Sequence, residues 1–161
     1  MKKLPSRINS LFPQDKKIAL MGVGSELRND DAAGMYLIKK LKKSIKRNDI
    51  LFIGGGTAPE NFTGVIKNFK PDKLIVIDAA RMDIPVGEIR LLEAKEIGGL
   101  TFSTHMLPLP IMLNYLELEI NCRVTCIGIQ PKNTEQGFTM CEEVTASVDK
   151  LADMFFKALI T

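Results

Sequence analysis

The chain has a single histidine, three cysteines and no apolar run of membrane-spanning length. Each scarcity excludes something. One histidine rules out a HExxH metal helix, and no such motif occurs. Cys122, Cys126 and Cys141 form no disulfide framework, and so sparse a set points to a reducing compartment. On a shared strand, Cys122 and Cys126 would lie about 13 Å apart, too far to chelate together. They read as buried thiols. The start, MKKLPSRINSLFPQDKK, carries charge but no apolar core of a leader, so a cytoplasmic protein without signal peptide or membrane segment is expected. There is no GxSxG elbow, no GK[ST] phosphate loop and no internal repeat.

What is present is ordinary in bulk. The chain has 161 residues, 45% hydrophobic and 25% charged, the values of one globular domain. A net charge of +3 is too small to argue for nucleic acid, and Lys39, Lys40, Lys42, Lys43 and Lys46 read as one solvated helix face. We expect a single domain over 1–161, with a surface arm at 1–15 and the folded unit from 16 to 161.

The organising stretch is Ile18–Gly34, IALMGVGSELRNDDAAG. Its apolar opening, Ile18–Val23, predicts a buried strand. A helix follows from about Asp31 to Lys46, with Ala33, Leu37, Ile38, Leu41 and Ile45 on one face. Gly34 within that helix marks close packing on the sheet. A second strand over 49–53 is expected to stop at Gly54-Gly55-Gly56. A helix to about Phe69 should then start, with Thr57 and Glu60 as a capping box. Leu74–Ile77 is the third strand. Gly87–Leu92 follows after too short a connection for a parallel crossover, so it should lie antiparallel to the third. Residues 93–104 read as irregular. A helix over about 111–118, a strand at Val124–Ile129, a loop over 130–137 and a helix over 141–159 complete the order. The last helix has Val144, Val148, Leu151, Phe155 and Leu159 on its apolar face. The fold class is α/β: a three-layer α/β/α sandwich on a five-stranded mixed sheet with one antiparallel strand, phosphorylase/hydrolase-like in architecture.

Gly22-Val23-Gly24 after a strand is not a dinucleotide fingerprint. Leu27 occupies the place of its third glycine, and glycines replace the ribose-binding acid. Three other residues end short apolar segments and are candidate metal ligands: Asp31, Asp78 and His105. Asp30-Asp31 offers two acids at a helix entrance where a cap needs one. Asp30 is assigned the cap, which Asn would replace at little cost. Asp78 is a carboxylate at a strand's C-terminal edge or simply a turn former. His105 sits in a Thr/Ser-rich, pre-helical loop. Two carboxylates and one imidazole suit a divalent metal with open positions. All three are expected at exposed positions, converging at one sheet edge.

The segments GVGSELRNDDAAG (22–34), GGTAPEN (55–61), LIVIDAA (74–80), GEIRLL (87–92), STHMLPL (103–109) and GIQP (128–131) resemble, in order, the hydrogenase maturation endopeptidases. The likeness is to the branch serving formate-hydrogenlyase-type (hydrogenase-3-type) nickel–iron hydrogenases. It covers nearly everything from residue 17 to the final helix. It implies a protease that clips a short C-terminal tail from a hydrogenase large-subunit precursor after nickel insertion. It also implies Asp31, Asp78 and His105 as catalytic, metal-contacting residues. The nickel is then supplied by the substrate, on substrate thiolates, and the protease is a monomer with no tightly bound cofactor of its own. Asn29, Ala32 and Pro110 depart from the common pattern and leave those three residues intact. The metal would polarise the scissile carbonyl or activate a water, or Asp31 or Asp78 would steer that water as general base. Gly54-Gly55-Gly56 either admits substrate backbone or only makes a turn. A non-catalytic nickel-dependent checkpoint that binds the same precursor is the alternative, and an unrelated α/β hydrolase a more distant third.

Overall fold

The computed structural model describes residues 3–93, 101–102 and 109–160. Five strands lie side by side in the order β2 (Ile50–Gly56), β1 (Ile18–Val23), β3 (Lys73–Arg81), β6 (Arg123–Ile129), β4 (Ile89–Glu93). The first four are parallel; β4 is antiparallel to β6. The two-residue β5 (Thr101–Phe102) pairs antiparallel with the end of β3. The expected mixed five-stranded sheet is therefore present. The antiparallel strand, however, hydrogen-bonds β6 at the edge and not β3, because β6 returns to occupy the place beside β3.

The alternation of side chains along each strand builds two cores. Ile18 and Leu20 of β1, Ile75 and Ile77 of β3, and Ile127 and Ile129 of β6 face one way. They meet Leu37, Ile38 and Leu41 of α2 (Ala33–Ser44) and Val144, Val148, Leu151 and Phe155 of α5 (Glu142–Ile160). Ala19, Met21, Val23, Leu74, Val76, Val124 and Cys126 face the other way. They meet Ile66 of α3 (Thr63–Phe69) and Leu109, Met112, Leu113 and Leu116 of α4 (Leu109–Ile120). With both faces covered, β1 is buried at every residue, as an interior parallel strand should be. The apolar face read for the final helix is wholly buried.

Three expectations need correction. The segment 1–15 is not simply a surface arm. It holds a short helix, α1 (Leu4–Asn9), whose Ile8 is fully buried, as Leu11 nearly is. Phe12 packs edge-on to Phe155 of α5, with ring centroids 5.2 Å apart. The glycines 54–56 do not stop β2 but extend it. Gly54 pairs with Gly22, and Gly56 pairs with Val23 after a register shift. No capping box starts the next helix. A 3-10 turn, Pro59–Phe62, precedes α3 without a side-chain cap, and Thr63 Oγ1 donates to Glu60 O.

Candidate active site

The C-terminal ends of β1 and β3 share one edge of the sheet. Gly22 pairs with Ile77, so the chain leaving β1 at Val23 is level with Asp78. It turns at Gly24, whose φ of +128° suits glycine and whose added Cβ would stand 2.0 Å from Asp31 O. A 3-10 turn, Asn29–Ala32, then leads into α2 and packs against β3. The approach is close because Gly34 has no side chain: a Cβ there would stand 2.2 Å from Ile77 O. The sequence reading of Gly34 as a close-packing residue is what the backbone requires.

Asp31 and Asp78 thus emerge from neighbouring elements at the same edge, but neither is exposed. Asp31 is 2% exposed and its Oδ2 accepts the Ser25 N–H at 2.8 Å. Asp78 is 0% exposed and lies within β3, opposite Gly128 of β6. It does not follow the strand, which runs on to Arg81. Alternation from Leu74 and Val76 directs it to the α3/α4 face of the sheet. His105 lies outside the described residues. Among the described residues no three His, Cys, Asp or Glu side chains form a metal-holding group. Two carboxylates are hard donors, a set suited to completing the shell of a divalent ion rather than enclosing one.

Asp30 has a different task from the one read in the sequence. It is 1% exposed and makes no cap to its own helix. Its Oδ2 accepts the N–H groups of Lys132 (2.8 Å) and Asn133 (2.9 Å), and its Oδ1 accepts that of Cys141 (2.7 Å). Asn29, at φ 49°, accepts the Thr139 N–H on Oδ1 and donates Nδ2 to Glu135 O. Arg28 Nε donates to Thr134 O at 2.8 Å. Backbone bonds Asn29 N to Gly137 O, Asp30 N to Asn133 O and Gly137 N to Leu27 O complete the lacing. Arg28, Asn29 and Asp30 fasten the loop after β6 to the turn that carries Asp31.

Gln130 of GIQP performs a similar service for the β3–β4 connection. Its Oε1 accepts the Met82 N–H at 2.7 Å, and its backbone O accepts the Gly87 N–H at 2.8 Å. The motif is visible in the sequence, but its partners are 43 to 48 positions away and no local pattern announces them.

The thiols stand apart from this chemistry. Cys122 and Cys126 are buried. Burial pushes the Cys122 thiol up to about 11. Burial, with the Asp78 charge adding to it, raises Cys126 further. The thiol that senses Asp78 is therefore held protonated at neutral pH.

This is an α/β protein that brings two buried carboxylates to the C-terminal edge of its parallel strands. A family model described as HycI, hydrogenase maturation protease, matches residues 35–158. A putative hydrogenase maturation protease of Methanocaldococcus jannaschii is 40% identical over 151 residues, covering 89% of each chain. The hydrogenase 3 maturation protease of Escherichia coli K12 is 32% identical over 131 residues, covering 81% of this chain and 83% of its own. The crystal structure of a NiFe hydrogenase maturation protease, HycI, from Thermococcus kodakarensis KOD1 superposes with a TM-score of 0.88 at 29% identity. It covers 96% of this chain and 99% of that one. The chain belongs to the HycI family of hydrogenase maturation proteases. No helix among the described residues is long and apolar enough to cross a membrane.

Proposed function

We propose that this chain removes the C-terminal tail of a nickel–iron hydrogenase large-subunit precursor after nickel insertion. In this reading it uses the substrate's nickel as the licence to cut. The observation that carries the reading is the delivery of Asp31 and Asp78 to one strand edge in a chain of this family. Asp31, Asp78 and His105 act as one set toward the nickel that the precursor brings on its own thiolates. No tightly bound cofactor of the protease is required, and it works as a cytoplasmic monomer.

Burial gives the two carboxylates their use. A carboxylate shielded from water interacts more strongly with an arriving cation than an exposed one does. Asp31 Oδ2 accepts the Ser25 N–H at 2.8 Å, which gives the carboxylate a defined orientation. The hydrolysis needs a water deprotonated as it attacks the scissile carbonyl and a proton delivered to the leaving amine. Either carboxylate is chemically competent to take the water's proton and pass it on. The substrate's nickel would supply Lewis acidity at the carbonyl or the water.

The test is incubation of the protein with nickel-loaded and nickel-free precursor. A shortened large subunit in the loaded sample alone supports the proposal. A stable complex with full-length precursor would favour a nickel-dependent checkpoint instead.

A further inference from the structure

Helix α4, LPIMLNYLELEI, carries apolar residues on its exposed side as well as its buried one, the exposed side being shared with Asn114 and Glu119. Leu109, Met112, Leu113 and Leu116 are buried against the sheet. On the outside, Ile111 (58% exposed), Tyr115 (44%) and Leu118 (87%) follow at i, i+4 and i+7, which is one stripe. A helix on the surface of a sandwich normally turns a polar face outward, and an aligned outer apolar stripe marks a contact surface.

The stripe is also held ready. Lys67 of α3 donates Nζ to Tyr115 Oη at 3.0 Å and lies over its ring, 5.3 Å from the centroid. It also reaches Glu119 at 3.9 Å. These contacts tie the Tyr115 hydroxyl to α3 and give the patch a polar rim, the pattern of a docking surface rather than of scattered exposure.

Its position relates it to the candidate active site. β5 pairs with Ala80 and Arg81 at the C-terminal end of β3, and β6 starts at Arg123 opposite Lys73, so α4, between them in the chain, runs from the C-terminal edge toward the N-terminal edge. Ile111 therefore lies at the end where Asp78 emerges, on the face toward which Asp78 is directed. Leu118 lies about 10 Å further from that edge. The stripe begins at the site and leads away from it.

We propose that the outer face of α4 is the docking surface for the body of the large-subunit precursor, whose tail is presented to Asp31 and Asp78. This rests on the function proposed above for the same site. The occupant is the precursor rather than a second copy of this chain. Three apolar side chains are far fewer than the roughly 20–30 residues a side of a stable dimer, whereas the precursor adds the contacts made by its tail. The surface it meets is an apolar patch edged by groups complementary to Lys67 and Glu119.

The decisive experiment uses the full chain and nickel-loaded precursor, reading association in the cold and, separately, kcat and KM for processing. Ile111→Gln with Leu118→Gln keeps strong helix formers and removes only outer apolar groups, so Tm should be unchanged. Kd and KM should rise tenfold or more with kcat at saturation unchanged. Tyr115→Gln, in the middle of the stripe, should move Kd the same way by a smaller factor. Lys43→Gln, on α2 in the opposite layer, should not. Unchanged Kd in the double variant overturns the proposal, as does equal weakening by Lys43→Gln. A wild type that sediments as a dimer, dissociated by the double substitution with Kd for precursor unaltered, assigns the stripe to a second copy and also overturns it. Lack of precursor binding by the wild type overturns it regardless of cleavage. Wild-type binding without cleavage would end the protease reading while Kd still tested the docking face.

Discussion

The Asp30 carboxylate accepts the backbone N–H of Cys141 at 2.7 Å across 111 positions of sequence. With the Lys132 and Asn133 N–H groups on its other oxygen, it ties three points of the loop after β6 to the turn bearing Asp31. Asparagine does not replace this. Its amide has one acceptor oxygen, and its NH2 would face backbone N–H groups. Asp30→Asn should therefore destabilise the fold by about 2–4 kcal/mol, since hydrogen bonds to a buried charge are the strong ones. In a chain of this size that lowers Tm by roughly 5–15 °C. A thermal unfolding midpoint within about 1 °C of wild type would return Asp30 to the dispensable cap read from sequence.

The neighbouring Arg28 and Asn29 show why that role was hidden. A cap is a local event, visible as an acid before a helical period; a latch between residues 28–30 and 132–141 is not. The apolar runs of the interior strands were legible, and with the helix faces they foretold three layers on a five-stranded mixed sheet. The third strand is the clearest case. Its limits were underestimated: β3 continues through Asp78 to Arg81, because Ala79 and Ala80 are as buried as the residues before them. Glycines 54–56 read as a stop, yet parallel pairing with β1 carries the strand through Gly54 to Gly56, where φ is +59°. The first 15 residues held a pattern that passed unread. Leu4, Ile8, Leu11 and Phe12 recur at helical spacing, and tertiary contact with α5 supplies what so short a helix lacks alone.

Alkaline pH should loosen the fold through Cys122. Its thiol is raised from 9.0 to about 11, chiefly by burial. A folded-state value above the unfolded one means the native protein holds its proton where the unfolded chain has released it. That stabilisation is complete below pH 9, and it is lost as pH rises through about 11. Urea midpoints should fall over this interval in the wild type and fall less in Cys122→Ala, compared at equal starting stability. Thiol-specific reagents should label Cys122 and Cys126 in the native protein only as fast as it unfolds.

The isolated protein should bind nickel weakly. Asp31 and Asp78 offer oxygen donors alone, and the buried thiols stay protonated. The proposed set of three protein ligands would leave a divalent shell open for the substrate's thiolates. Titration calorimetry without precursor should give no stoichiometric tight site. One nickel retained through purification and dialysis would identify a resident metal and end the view of nickel as the substrate's cargo.

Asp31, Asp78 and His105 carry the last prediction. It changes once the two carboxylates are known to be 2% and 0% exposed. Exposed polar positions would have tolerated substitution within about 0.5 kcal/mol. Buried ones will not: Asp31→Asn and Asp78→Asn should each cost about 1–3 kcal/mol, so loss of activity alone would prove nothing. Processing must be compared at a temperature where circular dichroism shows each variant fully folded. Under that condition Asp31→Asn, Asp78→Asn and His105→Ala should each abolish cleavage of nickel-loaded precursor. Asp30→Asn should keep measurable cleavage despite its own loss of stability, because it supports the turn and does not meet the substrate. That contrast separates a group acting on the nickel-bearing tail from a group holding the scaffold. Full cleavage by Asp31→Asn and Asp78→Asn would show that the wrong carboxylates were chosen. Full cleavage by His105→Ala would remove the nickel-reading set, and the hydrolysis would then need a base outside these three residues.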